Sequence, residues 1–222
     1  MKKTYVKEKF RTKAEWLKAR EIGGSDAAVI MGEGAWKTKS QLYDEVILKK
    51  GAKNFTNERM EEGVKSEDHI RKLFLIHNKE YKAVEPPKRS YWLYRRVDYP
   101  ALTLTPDCLA TDETGKHLFI EIKDKVCYGR KEIEAYKQGM IDAQYKWQCL
   151  HYFVVLDDIQ YGYLLVNFNI YEKVNEKWIF DHSETYPILI TRANWKDDIK
   201  KLKEEEIKFS KLDKRPPLVL NL

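Results

Sequence analysis

The chain has 222 residues, 43% of them hydrophobic and 13% aromatic, enough apolar bulk for one domain with a sizeable core and too much for a disordered chain. Lysine and arginine outnumber aspartate and glutamate by 41 to 35, a formal charge of +6 that suits a polyanionic partner without requiring one. Cys108, Cys127 and Cys149 are scattered, which argues against a structural zinc or a four-cysteine cluster and suits a reducing compartment.

The start, Met1-Lys2-Lys3-Thr4, lacks the apolar stretch of a signal peptide, and no later run reaches transmembrane length, so a cytoplasmic protein is expected. Lys2, Lys3, Lys7, Lys9 and Arg11 make the first dozen residues basic. These read as a frayed end in preference to an arm lying on phosphate. Thr12 and Glu15 form a capping-box pattern that opens a short helix through Trp16 and Leu17 to Arg20. Ile22-Gly23-Gly24-Ser25-Asp26 then leads into a helical run over 27–31, closed by Gly32. Two glycines before a helix start let the backbone turn tightly and offer amides and a hydroxyl to an anion. The simpler reading is that Ser25 caps its helix.

Further helices are expected over 40–50, stopped by Gly51, and from Thr56 or Asn57 to about Asn78. On the longer one Met60, Val64, Glu67, Arg71 and Phe74 share a face. Glu67 on that largely apolar stripe is either a snorkelling residue at its edge or an acid aimed at a site. Short strands over 81–84, 91–94 and 102–105, interrupted by Pro86-Pro87 and Pro100, lead to Thr105-Pro106-Asp107.

The stretch with the most chemistry follows. His117 to Lys123 alternates Leu118, Ile120 and Ile122 on one side with Phe119, Glu121 and Lys123 on the other. An acid and a base on one face of a buried strand need a reason, because unpaired buried charge costs several kcal/mol per ion. The turn signal Asp112-Glu113-Thr114-Gly115-Lys116 folds the chain back, setting Asp107 beside Glu121 to within a residue or two. Two carboxylates at that spacing repel unless a cation lies between them, and all-oxygen sites suit magnesium or manganese. Beyond Lys123 the chain turns basic at Lys125, Arg130 and Lys131. A helix over 141–155 carries Gln144 and Gln148, a hairpin over 159–168 and 178–190 is joined across 172–175, and an amphipathic helix covers 194–212.

Taken in order, Arg20, Ile22-Gly23-Gly24-Ser25-Asp26, Gly63-x-x-x-Glu67, Thr105-Pro106-Asp107, Glu121-Ile122-Lys123 and Tyr145-x-x-Gln148 resemble the lambda-exonuclease-like branch of the PD-(D/E)xK nucleases, the YqaJ-type viral recombinases of phages. The resemblance runs from about Trp16 to Tyr152. It implies an α/β (α+β) fold with a restriction-endonuclease-like core, a central mixed sheet flanked by helices, and a single nuclease domain over 1–222. It also implies a magnesium-dependent 5'-to-3' exonuclease on double-stranded DNA ends, with manganese able to substitute, that generates single strands for recombination. Asp107, Glu121 and the Ile122 carbonyl would hold the metal, Glu67 would assist, Lys123 would serve the attacking water, and Gln148 would be the family's site glutamine. Arg20 and Ser25 would form the pocket for a terminal phosphate. Further implications are a trimeric ring, a single-strand annealing protein as partner, and a phage or prophage gene acting in the bacterial cytoplasm. The chain departs from the pattern at Leu150, where a second glutamine is common, at Cys108, where glycine is common, and in a shorter step from Arg20 to Ser25. A restriction- or repair-type endonuclease of the same core and a catalytically silent DNA-binding module are the alternatives.

Overall fold

The computed structural model describes residues 4–50, 58–85 and 91–217. The basic start is not a frayed end: Tyr5–Phe10 form strand β1, paired antiparallel with a later strand, β3 (Tyr91–Arg96), in the register Tyr5↔Arg96 to Phe10↔Tyr91. Lys2 and Lys3 lie outside the described residues. Side chains across the pairing explain the order. The Lys7 ammonium sits 3.4 Å over the Trp92 ring, Tyr5 meets Tyr94 edge-on at 5.9 Å, and Glu8 pairs with Arg95 at 2.8 Å. Strand β4 (Thr103–Leu104) completes this small sheet in the order β1-β3-β4.

Helix α1 (Lys13–Ala19) opens on the Thr12–Glu15 capping box, as expected. Helix α2 (Gly24–Met31) ends at Gly32, whose φ of 82° is the left-handed conformation of a helix stop. Its cap differs from the expectation. Gly23 is the capping position, its N–H donates to Asp26 Oδ2 at 3.0 Å, and Ser25 lies inside the first turn, exposed. Asp26, one residue further on, therefore satisfies the helix start and leaves the Ser25 hydroxyl for other work. Helix α3 (Lys39–Val46) opens on Thr38 with Gln41 and ends short of the expected Lys50, where Lys49 takes a positive φ of 52°. Gly51, Thr56, Asn57 and the Pro86-Pro87 break lie outside the described residues, as do the side chains of Met60 and Val64. Helix α4 covers Glu58–His77.

The larger sheet runs β2-β5-β6-β7-β8, with β2 (Lys82–Glu85), β5 (Cys108–Thr111), β6 (His117–Tyr128), β7 (Tyr161–Val174) and β8 (Lys177–Thr191). It is mixed: β6 and β7 are parallel, and the other pairings are antiparallel. The crossover between β6 and β7 contains α6 (Ala143–Val155) and a helix the sequence reading missed, α5 (Lys131–Lys137). Ile133 and Tyr136, three apart, bury its inner face. The β7–β8 hairpin forms as expected in kind, but it extends further and turns at Asn175 and Glu176, both at positive φ.

The alternation read from β6 separates two cores. Leu118, Ile120 and Ile122 join Ile70 and Phe74 of α4 in one cluster, whereas Phe119 packs with Tyr152 and Phe153 of α6 in the other. Helix α7 (Lys196–Ser210) covers α6 through Ile199, Leu202 and Phe209. Among the described residues no helix is long and apolar enough to cross a membrane. The three cysteines are buried and free.

Between α6 and α7 lies a fully buried polar pair. His151 Nδ1 is 2.7 Å from Glu206 Oε1, and Nε2 is 2.9 Å from the Thr103 carbonyl. A carbonyl only accepts and a carboxylate prefers to, so both ring nitrogens carry hydrogen and the ring is an imidazolium. Burial works against that charge, yet the Glu206 carboxylate and the Thr103 carbonyl outweigh it and raise His151 above its ordinary value of about 6.5. A raised folded-state pKa means that the pair's contribution to stability is complete below about pH 6.5 and is lost as pH rises through the higher folded value. The wild-type urea midpoint should therefore fall as pH rises above about 6.5 through the folded value, and His151→Gln should lack the step. Identical pH profiles for the two proteins would contradict this assignment.

Candidate active site

The register Cys108↔Ile120 places Asp107, at the mouth of β5, opposite Glu121 of β6. The turn that achieves this is closed by Gly115 at φ 80°, with the Gly115 amide donating to the Asp112 carbonyl. Asp107 is tied to β6 by the Ile122 amide, which donates to its Oδ2 at 2.9 Å.

Glu121 is only 1% exposed, so its carboxylate needs strong donors, and it has three. Lys123 Nζ and Gln148 Nε2 each donate to Oε1 at 2.6 Å, and the Tyr152 hydroxyl donates to Oε2 at 2.5 Å. The same Tyr152 oxygen accepts from the Asp107 amide at 3.2 Å, so one phenol bridges both acids' residues. Tyr145, Gln148 and Tyr152 follow the three- and four-residue spacing of one face of α6. The Tyr145 ring lies 5.5 Å from the ammonium groups of both Lys123 and Lys125.

Charge in this cluster is crowded. Burial first, and then the Glu121 charge, hold the Asp107 carboxyl well above the usual carboxylate range; Glu67 adds to the effect and Lys123 opposes it. Burial would strip Lys123 of its proton, but Glu121 and Asp107 outweigh burial and raise it above the ordinary lysine value. Lys123 is thus an ammonium beside these two acids. Burial, and after it the neighbouring acids, push the Tyr152 phenol up as well, so it keeps its proton and donates.

Among the described residues no three carboxylate, imidazole or thiol groups converge at metal-ligand distance. The donor set nevertheless fits a hard divalent cation. Two facing carboxyl groups, with Asp107 held above its usual range by burial and then by the Glu121 charge, form an oxygen-only pair that a cation would stabilise in its ionised state.

Arg20 and Ser25 do not join this hydrogen-bonded cluster. They line a separate cleft of about 530 Å³ together with Lys18, Lys37 and Lys49. Arg20 stacks 4.8 Å over the Trp16 ring, and its carbonyl accepts from Lys49 Nζ at 3.1 Å. Lys37 is held by Asp26 at 3.2 Å and Glu45 at 2.7 Å. Cleft and acids adjoin through α2. A Cβ on Gly24 would stand 3.0 Å from Gln148 Cγ and 3.4 Å from the Gln148 carbonyl, so the helix start packs closely against the residue that donates to Glu121.

The sequence reading gave Tyr152 no role at the site and overlooked Lys37. The available signal for Tyr152 was its position four residues after Gln148 on a helix. Lys37 lies in a loop, and nothing in its spacing points to the cleft.

The model of the YqaJ-like viral recombinase domain matches residues 15–157. In fold, the chain is similar to the crystal structure of LHK-Exo in complex with dAMP, at 18% identity and a TM-score of 0.50, covering 89% of this chain and 90% of that one. It is also similar to an alkaline exonuclease (LHK-Exo) from Laribacter hongkongensis, at 16% identity and a TM-score of 0.46 with the same coverage. No curated protein matches the chain.

Proposed function

Because the chain belongs to the YqaJ-like viral recombinase family, we propose that it is a metal-dependent exonuclease that degrades double-stranded DNA from its ends, 5' to 3', leaving single strands for recombination. The observation that carries this reading is the Asp107–Glu121–Lys123 cluster, in which two facing acids and an ammonium meet at the end of the β5–β6 hairpin. A phosphodiester is anionic and resists attack by hydroxide. A divalent cation held by Asp107, Glu121 and the Ile122 carbonyl, with Glu67 beside them, supplies charge neutralisation and a more acidic water when bound. Magnesium is the proposed ion, with manganese able to replace it.

The protein's own groups do the positioning. Lys123, 2.6 Å from Glu121 Oε1, is placed to position the attacking water beside the two acids. Gln148 and Tyr152 fix Glu121 by two hydrogen bonds, so its carboxylate need not reorganise as charge shifts. The reading also takes the family's assembly, a ring of three copies on DNA, its cytoplasmic setting and an annealing protein as partner; these rest on the family alone.

Direction of digestion rests on the cleft beside α2. A terminal phosphate carries more charge than an internal diester and can accept a bidentate arginine, and Arg20, Lys18, Ser25 and Lys49 surround a space for it. One charge-assisted contact contributes about 1.5–3 kcal/mol, so Arg20→Ala should cost roughly tenfold to a hundredfold on 5'-phosphorylated duplex. Duplex differing only in a 5'-hydroxyl should lose far less. Equal loss on both ends would make Arg20 a general backbone contact and turn attention to Lys18.

A further inference from the structure

Helix α4 lies along β6 in a matched ladder. Its Phe74, Ile70 and Ser66 recur every four residues, a step of about 6.0 Å along a helix. On β6 the same-face residues Ile120, Ile122 and Asp124 recur every two, a step of about 6.6 Å along a strand. The near-equal steps keep the two elements in register. Phe74 and Ile70 enter the apolar cluster with Ile120 and Ile122, and at the polar end the Ser66 hydroxyl donates to Asp124 Oδ2 at 2.5 Å.

Asp124 is itself firmly held. Its Oδ1 accepts from Asn167 Nδ2 at 2.8 Å and from Asn169 Nδ2 at 2.7 Å. Those amides are fixed in turn: Thr185 Oγ1 donates to Asn167 Oδ1 at 2.8 Å, and Ser183 Oγ donates to Asn169 Oδ1 at 2.7 Å. A chain of hydrogen bonds thus runs from β8 through β7 and β6 to a single residue of α4, the one before Glu67. The acid next to Lys123 in sequence points to the opposite face of the sheet from Glu121 and serves the helix there.

We infer that Asp124, through Ser66, is a positioning residue that sets where Glu67 stands relative to the Asp107–Glu121 pair. The inference rests on the reading of Glu67 as an acid of that site. Glu67 lies between Ser66 and Ile70, so anchors on both sides of it fix the turn that carries it. Outer hydrogen-bond partners of metal-binding groups commonly change metal affinity by about 10–100-fold when removed, and Ser66, acting through the backbone one residue from Glu67, belongs at the low end of that range.

The test compares wild type with Ser66→Ala, Ser66→Thr, Asp124→Asn and Glu67→Gln. Binding of manganese is measured by calorimetry without DNA, alongside the magnesium dependence of turnover on linear duplex and the melting temperature. Ser66→Ala and Asp124→Asn should weaken manganese binding about tenfold and shift half-saturation in magnesium by a similar factor, with KM for DNA unchanged. Ser66→Thr, which keeps the hydroxyl, should restore both. The unchanged KM and the threonine rescue separate positioning from loss of folding. Wild-type manganese binding and magnesium dependence in Ser66→Ala, with Glu67→Gln impaired, would overturn the inference and leave the proposed function standing. If Glu67→Gln is itself unimpaired, the assignment of Glu67 and this inference both fall.

Discussion

Glu121→Gln and Lys123→Ala should each lower turnover on linear duplex by at least about a thousandfold while leaving duplex affinity within about threefold. The glutamine keeps the shape of Glu121 and loses its charge. Its amide nitrogen must then face either the Tyr152 hydroxyl or the Lys123 and Gln148 donors, all of which now donate to carboxylate oxygens at 2.5–2.6 Å. Asp107 is released at the same time from the neighbouring charge that raises it. Its carboxyl should therefore titrate lower in Glu121→Gln than in wild type, a change visible by NMR and independent of activity. Lys123→Ala acts in the opposite sense: it removes the ammonium that donates to Glu121 and leaves two facing acids to repel each other. Affinity should survive in both, because binding to duplex comes mainly from phosphate contacts spread over a basic surface. Single-turnover hydrolysis in magnesium and equilibrium binding in chelator check the pair of statements. Near wild-type turnover in either variant would remove that residue from the chemistry.

Much of the site was legible because it is local. The β5–β6 hairpin follows from Gly115 in its turn cluster, and the period of two on β6 then assigns Glu121 and Lys123 to one face and Ile120 and Ile122 to the other. The close packing of Gly24 against Gln148 was not part of that reading, which took the glycine pair for a tight turn before the helix. What could not be read depends on contacts between distant residues. Strand β1 is stabilised by β3, with Glu8 and Arg95 separated by 87 positions, and its lysines look like a solvated tail until Trp92 is placed beneath them. His151 gives no sign of its charge until Glu206, 55 positions away, is packed against it. Helix α5 was missed because a short basic run hides the single pair, Ile133 and Tyr136, that buries its inner face. At α2 the expected Ser25 cap does not form; Gly23 is the capping residue, and Asp26 reaches back to its amide.

The central claim is that this chain takes DNA apart from an end, and covalently closed circular duplex is the substrate that isolates it. The cleft that Arg20, Lys18 and Lys49 line adjoins the acids through the Gly24–Gln148 contact, and a phosphate seated at those cations would gain most from its extra terminal charge. A closed circle has no such phosphate and offers only internal diesters, so the end-binding step that places a scissile bond at Asp107 and Glu121 has nothing to engage. In magnesium, with equal nucleotide concentrations of linear and closed circular duplex, release of acid-soluble nucleotides should proceed on the linear form and stay at least about a hundredfold slower on the circle. Linearising the same circle with one double-strand cut should make it a substrate. Cleavage of intact circles as fast as linear duplex would contradict the account and make the same site that of an endonuclease.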